Sequence, residues 1–153
     1  MAVRSLAVPA SNLNLDAALN DHFRIRLVIV DDSPELLEVF CNVLRSQRAV
    51  EIVGRARDGS EAVEMTATLN PDLVLMDVQM PRMDGLSAAV VIALHFPNTC
   101  VVLMSGDDSP QLRAESRACG AQAFIYKPNF NNEIAGTLEL VRRLGRHASS
   151  FLE

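Results

Sequence analysis

The chain has 153 residues, 49% apolar and 22% charged, with seven glycines and seven prolines, a composition that fits one globular domain and excludes a disordered or low-complexity chain. Its 14 Lys+Arg against 19 Asp+Glu leave a formal net charge of −5, which argues against nucleic acid or an anionic membrane as the main partner. Cys41, Cys100 and Cys119 lack C-x-x-C or Cys–His spacing, the N-terminus lacks a leader pattern and no apolar run reaches ~18 residues, so the expectation is a soluble, cytoplasmic protein with free thiols.

Residues 1–24 mix Ser, Asn, Asp and Ala around Leu6, Leu13, Leu15 and Leu19 without a sustained period. They read as an N-terminal extension with a short helix near residues 16–21. Short Val-, Ile- or Leu-rich runs come next at residues 27–30, 52–53, 73–76, 101–104 and 123–126, as expected of strands buried on both faces. Five helical segments alternate with them. Ser33-Pro34 supplies an N-cap and a first-turn proline, with Leu36, Leu37, Phe40, Val43 and Leu44 behind it. Gly59-Ser60 opens a second helix with Ala62, Met65, Thr66 and Leu69 facing inward, stopped by Asn70-Pro71. Asp84-Gly85 opens a third over residues 86–96. Ser109-Pro110 opens a fourth that closes at Gly120, and residues 131–145 hold a fifth. Five strand-then-helix units imply right-handed crossovers and an α/β fold with a parallel sheet wrapped on both faces. The domain spans residues 25–145, with residues 146–153 as a C-terminal tail. The pattern leaves the strand order open between the dinucleotide type and the flavodoxin type.

Open α/β sheets bind ligands beyond the carboxyl ends of their strands. Here those ends carry Asp31-Asp32 after the first strand, Asp77 after the third, Ser105-Gly106 after the fourth and Lys127-Pro128 after the fifth. An acidic pair alone can be a solvated helix cap, a lysine before proline can be surface, and a strand-end serine is usually a turn residue. A third carboxylate on a neighbouring strand changes the balance, because three clustered acids repel one another until a cation enters. Oxygen donors without nearby His or Cys suit Mg2+ better than zinc. A metal, a carboxylate nucleophile, a lysine and a hydroxyl at one rim make a phosphoryl-accepting site, with Asp77 attacking and Lys127 neutralising the group in flight.

Other chemistries fit less well. The chain has no G-x-x-x-x-G-K-[ST], G-x-G-x-x-G or G-x-S-x-G. The loop after the first strand is acidic, the wrong sign for a flavin phosphate. His22, His95 and His147 lie away from the strand ends.

The segments VIVDDSP, LVLMDVQMPRMDGL, VVLMSG and AFIYKP resemble the receiver domain of two-component response regulators. The resemblance covers about residues 25–145 in order and spacing. It implies a flavodoxin-like, doubly wound five-stranded parallel sheet of order 2-1-3-4-5 with five helices, the first and fifth on one face. It also implies Asp77 as phospho-acceptor, Asp32 and Asp77 as direct Mg2+ ligands with the Gln79 backbone carbonyl, and Asp31 acting mostly through water. Lys127 matches the family lysine, Ser105 the hydroxyl of the switch, and Phe124 the aromatic that turns inward on activation. The implied phosphodonor is a sensor histidine kinase or a histidine phosphotransfer protein, and the implied output is a changed surface of helix 4, strand 5 and helix 5 that a partner reads.

Response regulators usually continue into an output domain. This chain stops eight residues after Gly145, so the expectation is a single-domain receiver or a piece of a longer regulator. A phosphatase is the rival class, but a D-x-D enzyme needs a second acid where Gln79 stands; slow self-dephosphorylation is the only hydrolysis the resemblance implies. A scaffold that has lost phosphorylation is disfavoured by the intact set of acids, Ser105 and Lys127. The third helix is apolar almost all round over residues 88–94. An inward stripe of Leu86, Ala89, Val90, Ala93 and Phe96 would leave Val91 and Ile92 outward beside Ala88, for cover by Leu13, Leu15 and Leu19, by a second copy of the chain in a homodimer, or by another protein.

Overall fold

The computed structural model describes residues 24–151, with side chains through residue 145; the expected extension and its leucines lie outside these residues. Five strands form one parallel sheet in the order β2-β1-β3-β4-β5: β1 (Ile25–Val30), β2 (Val50–Ala56), β3 (Leu73–Asp77), β4 (Cys100–Ser105) and β5 (Ala123–Tyr126). Five α-helices connect and complete it: α1 (Pro34–Arg45), α2 (Gly59–Leu69), α3 (Gly85–His95), α4 (Pro110–Ala118) and α5 (Phe130–Phe151). The order 2-1-3-4-5 is the flavodoxin-like one, and its centre is the β1–β3 pair, where the direction of winding reverses.

Strand alternation sorts the side chains into two cores. Ile25, Leu27 and Ile29 join Leu75, Met104 and Ile125 under Phe40, Leu44, Ile134 and Leu138, the buried stripes of α1 and α5. Val28, Val30, Met76 and Leu103 face the other way, under Ala62 of α2, Ala88, Ala89 and Ile92 of α3, and Leu112 at the edge of α4. Side-chain caps fix where the helices begin. Ser33, Asp58, Asp84 and Ser109 each accept a hydrogen bond from the backbone N–H three residues on, satisfying a donor that the first turn would otherwise leave orphaned.

Three features differ from the sequence-based expectation. Strand β2 is seven residues long, far more than the apolar pair at residues 52–53. It is an edge strand, so its exposed Glu51 and Arg55 hide it from any search for continuous apolar runs. Helix α5 runs through residue 145 to Phe151 without a break, since a solvent-facing glycine weakens a helix but does not end it. The third difference is rotational. In α3 the buried residues are Gly85, Ala88, Ala89 and Ile92, whereas Val90 is 40% and Leu94 73% exposed and Ala93 is exposed. Ile92 therefore points into the core, and Val90 and Ala93 point out.

The phase of α3 is set by its first residue. A Cβ on Gly85 would lie 2.2 Å from the Asp77 carbonyl oxygen, so only glycine permits this approach. The Gly85 N–H also donates to the Val78 carbonyl at 2.7 Å. With Gly85 held against the end of β3, positions 88, 89 and 92 come round to the same side.

Candidate functional site: an acidic cluster at the strand ends

Register brings the acids together. Val30 is paired with Met76 across β1 and β3, so the next residues along each strand, Asp31 and Asp77, emerge side by side at the carboxyl edge. Asp31, Asp32 and Asp77 each place a carboxylate oxygen within 4.8 Å of the other two. Asp31 and Asp77 are buried and Asp32 is exposed, so the cluster has two fixed walls and one solvent-facing arm.

Lys127, the residue after β5, closes it. Its ammonium donates to Asp31 Oδ2 at 2.8 Å and lies 3.1 Å from Asp77 Oδ1. Burial works to lower the lysine pKa, but the hydrogen bond to Asp31 and the charges of both carboxylates outweigh it and hold the group above its usual value, so it stays cationic. Asp77 shifts the other way from a normal carboxylate. Burial pushes it up and the Asp31 charge adds to the rise, against the pull of Lys127 and a backbone hydrogen bond from Gln79. Asp31 is already held by two partners, the Ser33 N–H at Oδ1 and Lys127 at Oδ2.

Three carboxylates against one ammonium leave a net charge near −2 at a rim of hard oxygen donors. That set fits a divalent oxophilic cation such as Mg2+ and offers no nitrogen or sulfur for zinc. Ser105 ends β4 beside this rim, buried, with its hydroxyl oxygen accepting from the Asp107 N–H at 3.0 Å. Phe124 pairs in register with Leu103 and is half-buried, its ring capped by the Arg113 guanidinium at 4.8 Å.

Two residues of the neighbourhood give no signal in the sequence. Arg82, in the loop after Asp77, sits in the left-handed region at φ 65°, uncommon for a side chain of this kind. Its Nε donates to Asp58 Oδ2 at 2.6 Å, and the Gly59 N–H donates to the Met83 carbonyl at 2.9 Å. These contacts tie the loop after the acceptor candidate to the start of α2. Isolated charged residues in two separate loops carry no mark of such a pairing.

A family model described as the response regulator receiver domain matches residues 27–139. This chain belongs to that family. Among curated relatives, protein-glutamate methylesterase/protein-glutamine glutaminase 4 of Myxococcus xanthus is 39% identical over 105 residues, 68% of this chain and 30% of that protein. The transcriptional regulatory protein YxjL of Bacillus subtilis is 32% identical over 120 residues, 78% of this chain and 55% of that protein. The chain thus spans about a third to a half of the length of these relatives. Among solved structures, the receiver domain of the response regulator NarL from Mycobacterium tuberculosis superposes with a TM-score of 0.74 at 31% identity, covering 78% of this chain and 98% of that one. The response regulator domain of Thermotoga maritima CheB gives 0.70 at 33% identity, covering 78% and 95%. The receiver family is a signalling family whose typical act is acceptance of a phosphoryl group on an aspartate. Among the described residues of this receiver, no helix is long and apolar enough to cross a membrane.

Proposed function

We propose that this receiver accepts a phosphoryl group on Asp77 from a phosphohistidine of a sensor histidine kinase or a histidine phosphotransfer protein, in the cytoplasm. The observation that carries the proposal is the placement of Lys127, which bridges Asp31 and Asp77 at 2.8 and 3.1 Å beside the exposed Asp32. A Mg2+ ion held by Asp32, Asp77 and the Gln79 carbonyl, with Asp31 behind an intervening water, would neutralise charge on the phosphoryl oxygens. The chain supplies the remainder. The Asp77 carboxylate forms the new O–P bond as the donor's N–P bond breaks, the electron pair returning to the donor imidazole. Lys127 then has a phosphoryl oxygen to hold in addition to Asp31, and the Ser105 hydroxyl, whose proton has no acceptor among the described residues, gains one.

The donor's seat is supported by an apolar recess of about 400 Å3 on the same rim, lined by Leu36, Val39, Phe40, Pro128 and Phe130 next to Lys127. Val39 is 53% exposed, so this apolar surface is open to a donor protein whose histidine reaches Asp77. With Ser105 drawn to the phosphoryl group and Phe124 turning after it, the face of α4, β5 and α5 is the one a downstream protein or an attached output domain reads. The chain acts as a switch and not as a phosphatase, since Gln79 cannot serve as a general acid.

Acetyl phosphate with and without Mg2+, read by intact mass and by Tyr126 fluorescence, tests the assignment. One phosphoryl group is expected on the wild type with Mg2+ and none on Asp77→Ala; modification of that variant to the wild-type extent refutes it. Ser105→Ala is expected to accept the group yet lose the change in amide exchange over residues 105–127.

A further inference from the structure

The β4–α4 loop links the hydroxyl of Ser105 to the ring of Phe124 through side chains. The Asp107 N–H is hydrogen-bonded to Ser105 Oγ at 3.0 Å, and Asp107 Oδ1 in turn accepts from the Ser109 N–H that opens α4. The next residue, Asp108, reaches one turn along that helix, where one of its carboxylate oxygens is gripped by both Nε and a terminal nitrogen of Arg113, each at 2.5 Å. The same guanidinium lies over the Phe124 ring, 4.8 Å from its centroid. One planar cation is therefore shared between the loop that answers to Ser105 and the aromatic that the proposed switch must move.

We propose that Arg113 is a positioning residue for the switch: held by Asp108, it pins Phe124 in its present orientation until the loop moves. The inference rests on the switch roles proposed for Ser105 and Phe124. When Ser105 turns its hydroxyl to a phosphoryl group on Asp77, its contact with the Asp107 amide changes and the backbone carrying Asp108 shifts with it. Arg113 moves with Asp108 or loses it, and either way the cation leaves the ring. Any reorientation of Phe124 takes it off that guanidinium face, so the contact stabilises only the unphosphorylated arrangement. An exposed cation–π contact of ordinary strength favours that arrangement by about two- to fivefold. Because coupling between sites is reciprocal, the same factor must appear in the affinity of the acceptor site for a phosphoryl mimic.

The test uses the full chain labelled with fluorinated phenylalanine, the Phe124 resonance being assigned by Phe124→Leu, and titrates beryllofluoride with Mg2+. Arg113→Met keeps the aliphatic length and removes the cation. It is expected to move the Phe124 resonance of the unmodified protein toward its beryllofluoride-bound position and to tighten beryllofluoride binding about two- to fivefold. Asp108→Asn, which loosens the grip on Arg113 without touching the ring, is expected to act in the same direction, and Arg113→Lys to restore the wild-type resonance in part. If Arg113→Met leaves both the resonance and the affinity at wild-type values while beryllofluoride still moves Phe124 in the wild type, the latch is refuted and the switch stands. If beryllofluoride fails to move Phe124 in the wild type, the switch reading falls and the latch with it.

Discussion

The acidic cluster should cost the unliganded protein stability, and Asp77→Asn measures how much. Asp77 has a carboxylate oxygen within 4.8 Å of both Asp31 and Asp32. At an effective dielectric of about 20, each such pair repels by at least ~3.5 kcal/mol, whereas Lys127 at 3.1 Å attracts by ~5 kcal/mol. Water screens the share of exposed Asp32, so the charge terms nearly cancel. Burial of the carboxylate then decides the sign, in keeping with its raised pKa. A group whose folded-state pKa lies above its unfolded value stabilises the fold in its protonated form and loses that contribution as pH rises through the folded pKa. The ionised form of Asp77 is therefore the less favourable one in the fold. Asn keeps the shape and removes the charge, and it is expected to raise stability, each 1 kcal/mol gained lifting Tm by ~2–4 °C for a chain of this size. Mg2+ should reverse the ranking. At a hundred times its Kd a ligand adds about 2.7 kcal/mol, and the wild type should gain more of it than the variant, which has lost a ligand oxygen's charge. Thermal melts in chelator and in Mg2+ provide the measurement. An Asn variant that melts below the wild type in chelator would refute the reasoning.

Gly85→Ala places a methyl 2.2 Å from the Asp77 carbonyl oxygen; overpacking of this kind costs ~1–3 kcal/mol, and denaturant unfolding should show at least that together with weaker Mg2+ binding. The Asp58 carboxyl is held below the usual range by the Glu61 N–H, and also by Arg82, against burial. Its contribution is complete above the ordinary aspartate pKa of ~3.9 and is lost as pH falls through the lower folded value, so wild type should lose more stability than Asp58→Asn between pH 5 and pH 3. Ile92→Ala should cost ~2–5 kcal/mol and Leu94→Ala within about 0.5 kcal/mol; equal losses would show that α3 is turned differently.

Chain order, the five strand–helix alternations and the Ser, Asp and Pro signals at helix starts were legible because each is local. Five of the site positions were legible for a related reason. A parallel sheet places every strand's end on one edge, so the residues at the carboxyl end of each apolar run include Asp31, Asp32, Asp77, Ser105 and Lys127 whatever the strand order. The contact between Lys127 and Asp31 spans 96 residues and depends on how β5 and β1 are placed across the sheet, which local pattern leaves open. The hold of Arg113 on Phe124 and of Arg82 on Asp58 were hidden for the same reason.

Helix α3 shows where periodicity stops carrying information. When nearly every position is apolar, transfer from water favours burying any side, and the rotational phase is left to geometry. That geometry comes from the acidic site. Gly85 must touch the backbone of Asp77, the Asp84 side chain caps the helix by accepting from the Ser87 N–H at 2.8 Å, and the first turn is thereby fixed against the end of β3. Small Ala88 then fits against α2, where a Cβ on Gly59 would come within 2.9 Å of it, and Ile92 fills the core one turn further on. Packing on that face of the sheet is thus set by the same loop that presents the acceptor candidate. A substitution that turns α3 should disturb Mg2+ binding at Asp77 even when it lies more than two turns of helix away.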